Sequence, residues 1–315
     1  MSIEAIKPIK VKERNNNIWY RLFQMTVFTI GERLLKSKLF LLLFLIYTFM
    51  VVTGTSIIVV FSDFFVSLIQ RAGLDTISVY YGLVIFGFAI TILNDLVFWI
   101  IAFSGANLLS DELKSRSMVL YYSKPIPNSF YIISRFLAVF SIIFTVAIIP
   151  IIVMVTVPIL RHIDIMTIFS PMLTLTIIVQ SIISSILIIS FYILFVFSVT
   201  MIVEDRGASV LIAFIIYYSS YILGFSLGAF VDPKFQMISM VFWATSLLLT
   251  VLGIPWKNLD SRVLDLVSRF LFLPNLQLEP QIYVYGAFLL VASILVFMVI
   301  IYHRIGKISL KITME

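Results

Sequence analysis

Asn94 and Asp95 stand side by side in the run from Tyr81 to Ala106, where every other residue is uncharged and most are apolar. A carboxylate at bilayer depth costs roughly 2.5 to 3.5 kcal/mol on insertion scales, so it must face protein or water and not lipid. Two readings of Asp95 follow. It is a contact along a translocation path or a coupling-ion site, or it is structural, set near the outer headgroups or paired with a neighbouring helix. Acid–base chemistry on a lipid would need further groups converging on it. The chain has no cysteine, its only imidazoles are His162 and His303, and these lie in different segments with no shared helical spacing. A phosphate loop is also missing: Gly306 and Lys307 are followed by Ile308, without the earlier glycine, so neither the backbone cradle nor the magnesium-binding hydroxyl exists.

The second concentration of polar residues is Asp111 to Arg135, DELKSRSMVLYYSKPIPNSFYIISR, between two runs each long enough to cross a bilayer. A simple turn between spans needs fewer residues. Ala106 to Tyr122 can continue as helix, after which Pro125 and Pro127 impose an extended exit. On that helix Leu109, Leu113, Ser117 and Leu120 share one side, while Asp111, Glu112, Lys114, Ser115, Met118 and Tyr122 offer charge, hydroxyl, thioether and ring on the rest. Such a mixed face suits docking to a protein, with aromatic and Met area for contact and charges for register. It equally suits a solvated loop whose Lys and Arg set orientation.

The elements that carry these residues follow from composition. Hydrophobic residues make up 61% and charged ones 12%, with a mean hydropathy of +1.12. Soluble domains are about half apolar and a quarter charged, so this is an integral membrane protein. Long continuous runs, not ten-residue alternation, favour helices over a barrel. The runs predict six spans: Leu39 to Phe61, Tyr81 to Ala106, Phe136 to Leu160, Leu173 to Val203, Ala208 to Phe230 and Ile282 to Tyr302. The start, MSIEAIKPIKVKERNNN, lacks the short apolar core of a cleavable signal, so the first span is expected to act as its own insertion signal.

With both termini inside, all but six of the 22 basic residues fall on the cytosolic side, the exceptions being Arg71, Arg161, Lys234, Lys257, Arg262 and Arg269. Counting Met237 to Ile254 as a seventh span would reverse the basic tail, so this stretch is read as an outer hairpin or re-entrant pair. The expected organisation is a tail and interfacial helix over 1–38, a six-span domain over 39–302 with a cytosolic segment at 108–130 and an outer segment at 231–281, and a cytosolic tail over 303–315. Within the first part, Ile18, Trp19, Leu22, Met25 and Thr26 share one side of a helix, opposite Asn17, Arg21 and Gln24. That helix either lies along the inner surface or extends the first span. The net charge of +6 reads as orientation and attraction to anionic lipid, not nucleic-acid binding.

The run LLSDELKSRSMVLYYSKPIPNSFYIISRFL resembles the signature of ABC-2 type transporter permeases, the membrane subunits of a class of ATP-driven exporters. Glu112 matches the acidic residue ending the second span, and Ser115 and Ser117 match the small polar pair. Leu120 to Tyr122 supplies the aliphatic or aromatic stretch, Ser123 to Ile126 the Ser-x-Pro-Ile, and Tyr131 and Arg135 the Tyr and basic residue opening the third span. TIGERLLKSKLFLLL, at Thr29 to Leu43, is similar to the family's surface helix feeding the first span. The chain departs from the pattern in Ser-Arg-Ser for the commoner Gly-Thr, in Pro127 and Asn128 where Ser-Arg is frequent, and in Arg135 for Lys, two cations that are not interchangeable at a bidentate site.

The resemblance implies an all-helical permease subunit whose coupling helix seats in a separate ABC ATPase, which would bind ATP and Mg. The docking residues it implies are Asp111, Glu112, Lys114, Arg116, Met118, Tyr121, Tyr122, Lys124 and Pro125. It implies a second permease subunit, identical or related, a surrounding of membrane lipids, a plasma-membrane location and no enzyme activity of the chain's own. Asn94 and Asp95 are then the pathway candidates. Gly224 and Gly228, a small-x-x-x-small pair, are candidates for a dimer seam or for packing within one subunit. Pro150 and Pro158 are expected to bend the third span. Glu204-Asp205-Arg206 is a connecting turn, and Lys257 to Glu279 is expected to form an amphipathic cap or gate outside. The alternatives are an ATP-independent carrier or channel and a membrane-embedded enzyme acting on lipids.

Overall fold

A computed structural model describes residues 18–71, 84–85, 87–114, 128–161, 171–252 and 280–314. Among these residues every regular element is helical: α1 (Ile18–Phe28), a π-helical turn (Thr29–Leu34), α2 (Lys38–Arg71), α3 (Asp95–Lys114), α4 (Asn128–Arg161), α5 (Pro171–Val203), α6 (Arg206–Phe230), a 3-10 turn (Pro233–Ile238), α7 (Met240–Val251) and α8 (Pro280–Met314). Six stretches are long and apolar enough to cross a membrane, carried by α2, by α3 with the turns before it, and by α4, α5, α6 and α8. They coincide with the six predicted runs, since only a helix closes its own backbone hydrogen bonds inside hydrocarbon.

The bundle is arranged around α5, which packs against α3, α4, α6, α7 and α8. The most apolar windows of α5 and α3 are 67% and 61% buried, against 22% for α6 and α8, so these two form the centre and the others its wall. Ile188, Ile189, Ile193 and Val196 of α5 and Val97, Ile100, Ile101 and Ala102 of α3 are fully enclosed. Gly105 permits the close approach of these two helices, because a Cβ there would lie 3.0 Å from the Phe197 ring.

Connections on the described side of α5 are short. Asp205 caps α6 by accepting from the Ala208 amide at 3.0 Å, and its carbonyl accepts from the Ser209 hydroxyl at 2.5 Å. Glu204, with φ of 61°, takes the left-handed conformation that reverses the chain between α5 and α6. α4 begins at Asn128, immediately after Pro127, where the proline pair was expected to end an extended exit.

The stretch Met237 to Ile254 forms the 12-residue helix α7. At 1.5 Å per residue it is about 18 Å long, short of the ~30 Å hydrocarbon core. Met240, Val241, Phe242, Ala244, Leu247, Leu248 and Leu249 are all buried, so it is an inward-packed helix of the bundle. Its cap is Ser239, whose hydroxyl accepts from the Phe242 amide at 3.4 Å. The expected outer helix of Lys257 to Glu279 lies outside the described residues.

The side of α1 read from sequence as apolar has Leu22 buried and Ile18, Met25 and Thr26 half-buried. Trp19, assigned to the apolar side, is 68% exposed, whereas Arg21, assigned to the polar side, is half-buried. The side with Leu22 packs on α4.

Gly286 of α8 is where the wall comes closest to α7: a Cβ would fall 2.5 Å from Ser246 Oγ and 3.1 Å from the Phe242 ring. Gly286→Val should therefore cost about 1 to 3 kcal/mol through overpacking. The measurement is the thermal unfolding midpoint in detergent, with Gly31→Ala as the neutral control, since nothing lies within 4 Å of its Cβ.

Candidate functional site

Asn94 and Asp95 mark a break in the second span. Helical bonding stops at Ile92 and Leu93, whose amides both reach Phe88 O at 2.9 Å, and α3 restarts at Asp95. Asn94 belongs to both pieces. Its Oδ1 accepts from the Leu96 amide at 2.9 Å, the capping contact that a short polar side chain makes at a helix start, and its Nδ2 donates to Ile90 O at 3.4 Å. Tyr47 of α2 donates to Thr91 O at 3.0 Å, and in the preceding helical turn Thr91 Oγ1 makes the usual back-bond to Gly87 O at 2.7 Å.

Asp95 sits in the first turn of α3, where the partial positive charge of a helix start favours a carboxylate. The Tyr217 hydroxyl of α6 donates to its Oδ1 at 3.1 Å, and beside it Trp99 Nε1 donates to the Tyr218 hydroxyl at 2.7 Å. The rings hold these groups in place: Phe98 stacks on Tyr217 at 3.9 Å, Trp99 meets Phe214 edge-on at 5.1 Å, and Tyr192 meets Tyr217 edge-on at 6.1 Å. Tyr217 is buried, whereas Asp95 and Trp99 are exposed. Asp95, Trp99, Phe103, Asn107 and Asp111 recur every fourth residue and remain exposed or half-buried, forming one accessible line along the span. Asp95 lies about 24 Å from Asp111 along this helix. The structure thus brings the two pathway candidates together and pairs the acid with a neighbouring helix. Among the described residues no three His, Asp or Glu side chains gather as metal ligands.

At the opposite end of α3, Asp111 is exposed and Leu113 half-buried, and the helix backbone continues through Glu112 to Lys114. Of the other docking candidates, Arg116, Met118, Tyr121, Tyr122, Lys124 and Pro125 lie outside the described residues. The flanks of the segment are fixed. Arg135 of α4, counted from sequence among the cytosolic basic residues, is only 2% exposed. Its guanidinium donates to the Thr29 hydroxyl and lies over the Tyr131 ring at 4.7 Å, while Trp19 rests against Phe130 at 6.0 Å. α1 and the π turn are thereby clamped to the start of α4. The available signal was Tyr131 four residues before Arg135, the spacing that puts a ring beneath a cation on one helix face.

A small cavity of about 160 Å³ opens between the π turn, α3 and α6, lined by Arg33, Ser37, Ser104, Asn107, Asp111 and Arg206. Gly224 and Gly228 face their own chain: added Cβ atoms would lie 2.8 Å from Ser239 Cβ and 2.6 Å from Gln236 Cγ. The close approach they permit is to the 3-10 turn and the start of α7. Sequence reading missed Tyr47, Thr91 and Tyr217 as polar members of the bundle, since single hydroxyls in apolar runs give no periodic signal.

Fold and site define a multi-pass membrane protein, helical in its regular elements among the described residues, whose second span is interrupted at Asn94. Comparison with family models, with curated proteins and with solved structures finds no match to this chain.

Tyr217→Phe removes a donor to a carboxylate, an interaction worth roughly 1.5 to 3 kcal/mol. The expected outcome is a lower unfolding midpoint in detergent, and Asp95→Asn combined with Tyr217→Phe should cost less than the sum of the single changes. A midpoint unchanged by Tyr217→Phe would mean that water serves the carboxylate equally well.

Proposed function

We propose that the chain is the permease subunit of an ABC-2 type ATP-driven exporter: it forms the translocation pathway, pairs with a second permease subunit and docks a separate ATPase through residues 108–130. The supporting observation is that the surface helix, the end of α3, the start of α4 and the turn into α6 gather at one end of the bundle. There Arg135 holds Thr29, and Arg33, Asp111 and Arg206 line one cavity. A partner seated on that end would touch every element able to pass a displacement into the spans. The thirty-residue resemblance around Glu112, the Ser-x-Pro-Ile at Ser123 to Ile126 and Arg135 supplies the kind of partner.

In this reading both termini and residues 108–130 are cytosolic and the chain resides in the plasma membrane. ATP and Mg are held by the partner ATPase, and the chain performs no covalent step. Force applied at Asp111 to Lys124 tilts α3 and α4 together, because the Arg135 clamp ties the surface helix to α4. The accessible line from Asp111 to Asp95 then changes its exposure along the second span. Asn94 and Asp95 contribute a polar station on that line. The substrate is an amphiphile, for which a bundle wall with large exposed apolar area and a few polar stations is suited.

The double change Glu112→Ala and Arg116→Ala should lower ATPase capture in a pull-down by tenfold or more, the scale expected when charged register contacts are lost. Transport should be uncoupled from ATP hydrolysis in the same variant. Undiminished capture would remove the docking role from this segment.

A further inference from the structure

Asp95 carries a charge that no cation among the described residues balances. Its side-chain contacts are neutral donors. The Tyr217 hydroxyl donates at 3.1 Å, and the Tyr218 hydroxyl, which accepts from Trp99 Nε1 at 2.7 Å, acts on the carboxylate in turn. No Lys, Arg or His of the described chain pairs with it. Asn94 is engaged with the backbone of the break. A hydroxyl donor occupies one of the roughly four acceptor positions of a carboxylate and leaves its charge in place. The helix start offsets only part of that charge.

Asp95 lies inside the second span, which runs from Gly87 to Asp111, and its side chain is exposed at the bundle surface. Next to it along α3 and α6 is a patch of rings. Trp99, one turn on and 38% exposed, meets Phe214 at 5.1 Å. Phe103 meets the same ring at 5.8 Å, and Phe214 stacks on Tyr218 at 6.0 Å. Aromatic faces carry negative potential and attract cations. A carboxylate and a ring patch side by side at bilayer depth therefore present one sign of potential to whatever occupies that surface.

We infer that Asp95 and the rings of Trp99 and Tyr218 bind a lipophilic organic cation, a single positive charge of the ammonium or phosphonium kind carried on an apolar body. An anionic amphiphile meets like charge here, and a neutral one leaves the carboxylate uncompensated at a depth where that is costly. A divalent metal ion calls for six or more oxygen ligands, whereas among the described residues no three His, Asp or Glu side chains gather. The apolar body is what carries a charge to this depth, since ring and aliphatic contact replaces its water. The inference deepens the permease reading by giving its amphiphile a sign, and it rests on that reading only in calling the occupant cargo. Binding itself requires no ATPase.

The probes are tetraphenylphosphonium and tetraphenylborate, alike in size and apolar surface and opposite in charge. Full-length chain is purified in a neutral detergent, and binding of each labelled ion is measured by equilibrium dialysis, with uptake by protein-free micelles subtracted. Tetraphenylphosphonium should bind saturably and tetraphenylborate should not. Asp95→Asn should weaken phosphonium binding by about tenfold or more, the scale of a lost charge partner. Asp95→Glu should retain most of it, and Trp99→Leu should weaken it by about threefold, the scale of one exposed ring contact. Glu204→Gln, which changes an exposed acid at the elbow between α5 and α6, should leave binding as in the parent. Asp95 is exposed and asparagine keeps an oxygen for the Tyr217 hydroxyl, so the variant should keep the parent's fold, checked by its unfolding midpoint. The inference is overturned if the two ions bind alike, if the phosphonium shows no saturable binding, or if Asp95→Asn binds it as the parent does. A chain that binds the phosphonium through Asp95 and captures no ATPase keeps the site and loses the permease reading. One that captures the ATPase and fails these binding tests loses the site alone.

Discussion

Inside hydrocarbon every backbone N–H and C=O must find its partner within the protein, and the second span is where this chain both breaks and restores that rule. Leaving the helix at Ile92 strands carbonyls that a continuous helix would have used. Asn94 meets Ile90 O and Tyr47 meets Thr91 O instead. Because Tyr47 comes from α2 and the acid at the restart is held by Tyr217 of α6, the repair ties three helices into one arrangement. Moving any of them relative to the others exposes an unpaired group to lipid. The break is therefore a fixed point against which the remaining packing on α5 is set.

The other end of the bundle is governed by a different cost, that of burying a charge. Arg135 is enclosed where α1 and the π turn meet α4, and its charge is shared with a hydroxyl and an aromatic face. An enclosed guanidinium left without such partners would be strongly destabilising, so α1 and the π turn cannot leave α4 without a large penalty. One end of the molecule is thus held by neutral hydroxyl donors and the other by a cation. Between them run apolar contacts that specify no depth by themselves.

Run length made the six spans legible, since about twenty apolar residues admit little else. The interruption inside Tyr81 to Ala106 was not legible, because apolar composition continues through it and Asn94 reads as an isolated polar residue until its two backbone partners are known. Asp95 could be placed in a span but not assigned a donor, as Tyr217 lies far along the chain in an equally apolar run. A tally of basic residues carries no information on burial, so the enclosure of Arg135 needed the fold. On α1 the helical wheel grouped Leu22, Met25 and Thr26 on the side that packs, while Trp19 of the same group stays exposed. For Gly224 and Gly228 the spacing announced a close approach, while its partner, the turn at Gln236 and Ser239, needed the fold.

The elbow between α5 and α6 consists of Glu204 in a left-handed conformation and Asp205 as a cap. So short a link leaves no slack. The two spans it joins must enter the bilayer together as a preformed antiparallel hairpin during biosynthesis, and the insertion machinery has to accommodate both at once before the acidic elbow is left behind at the surface.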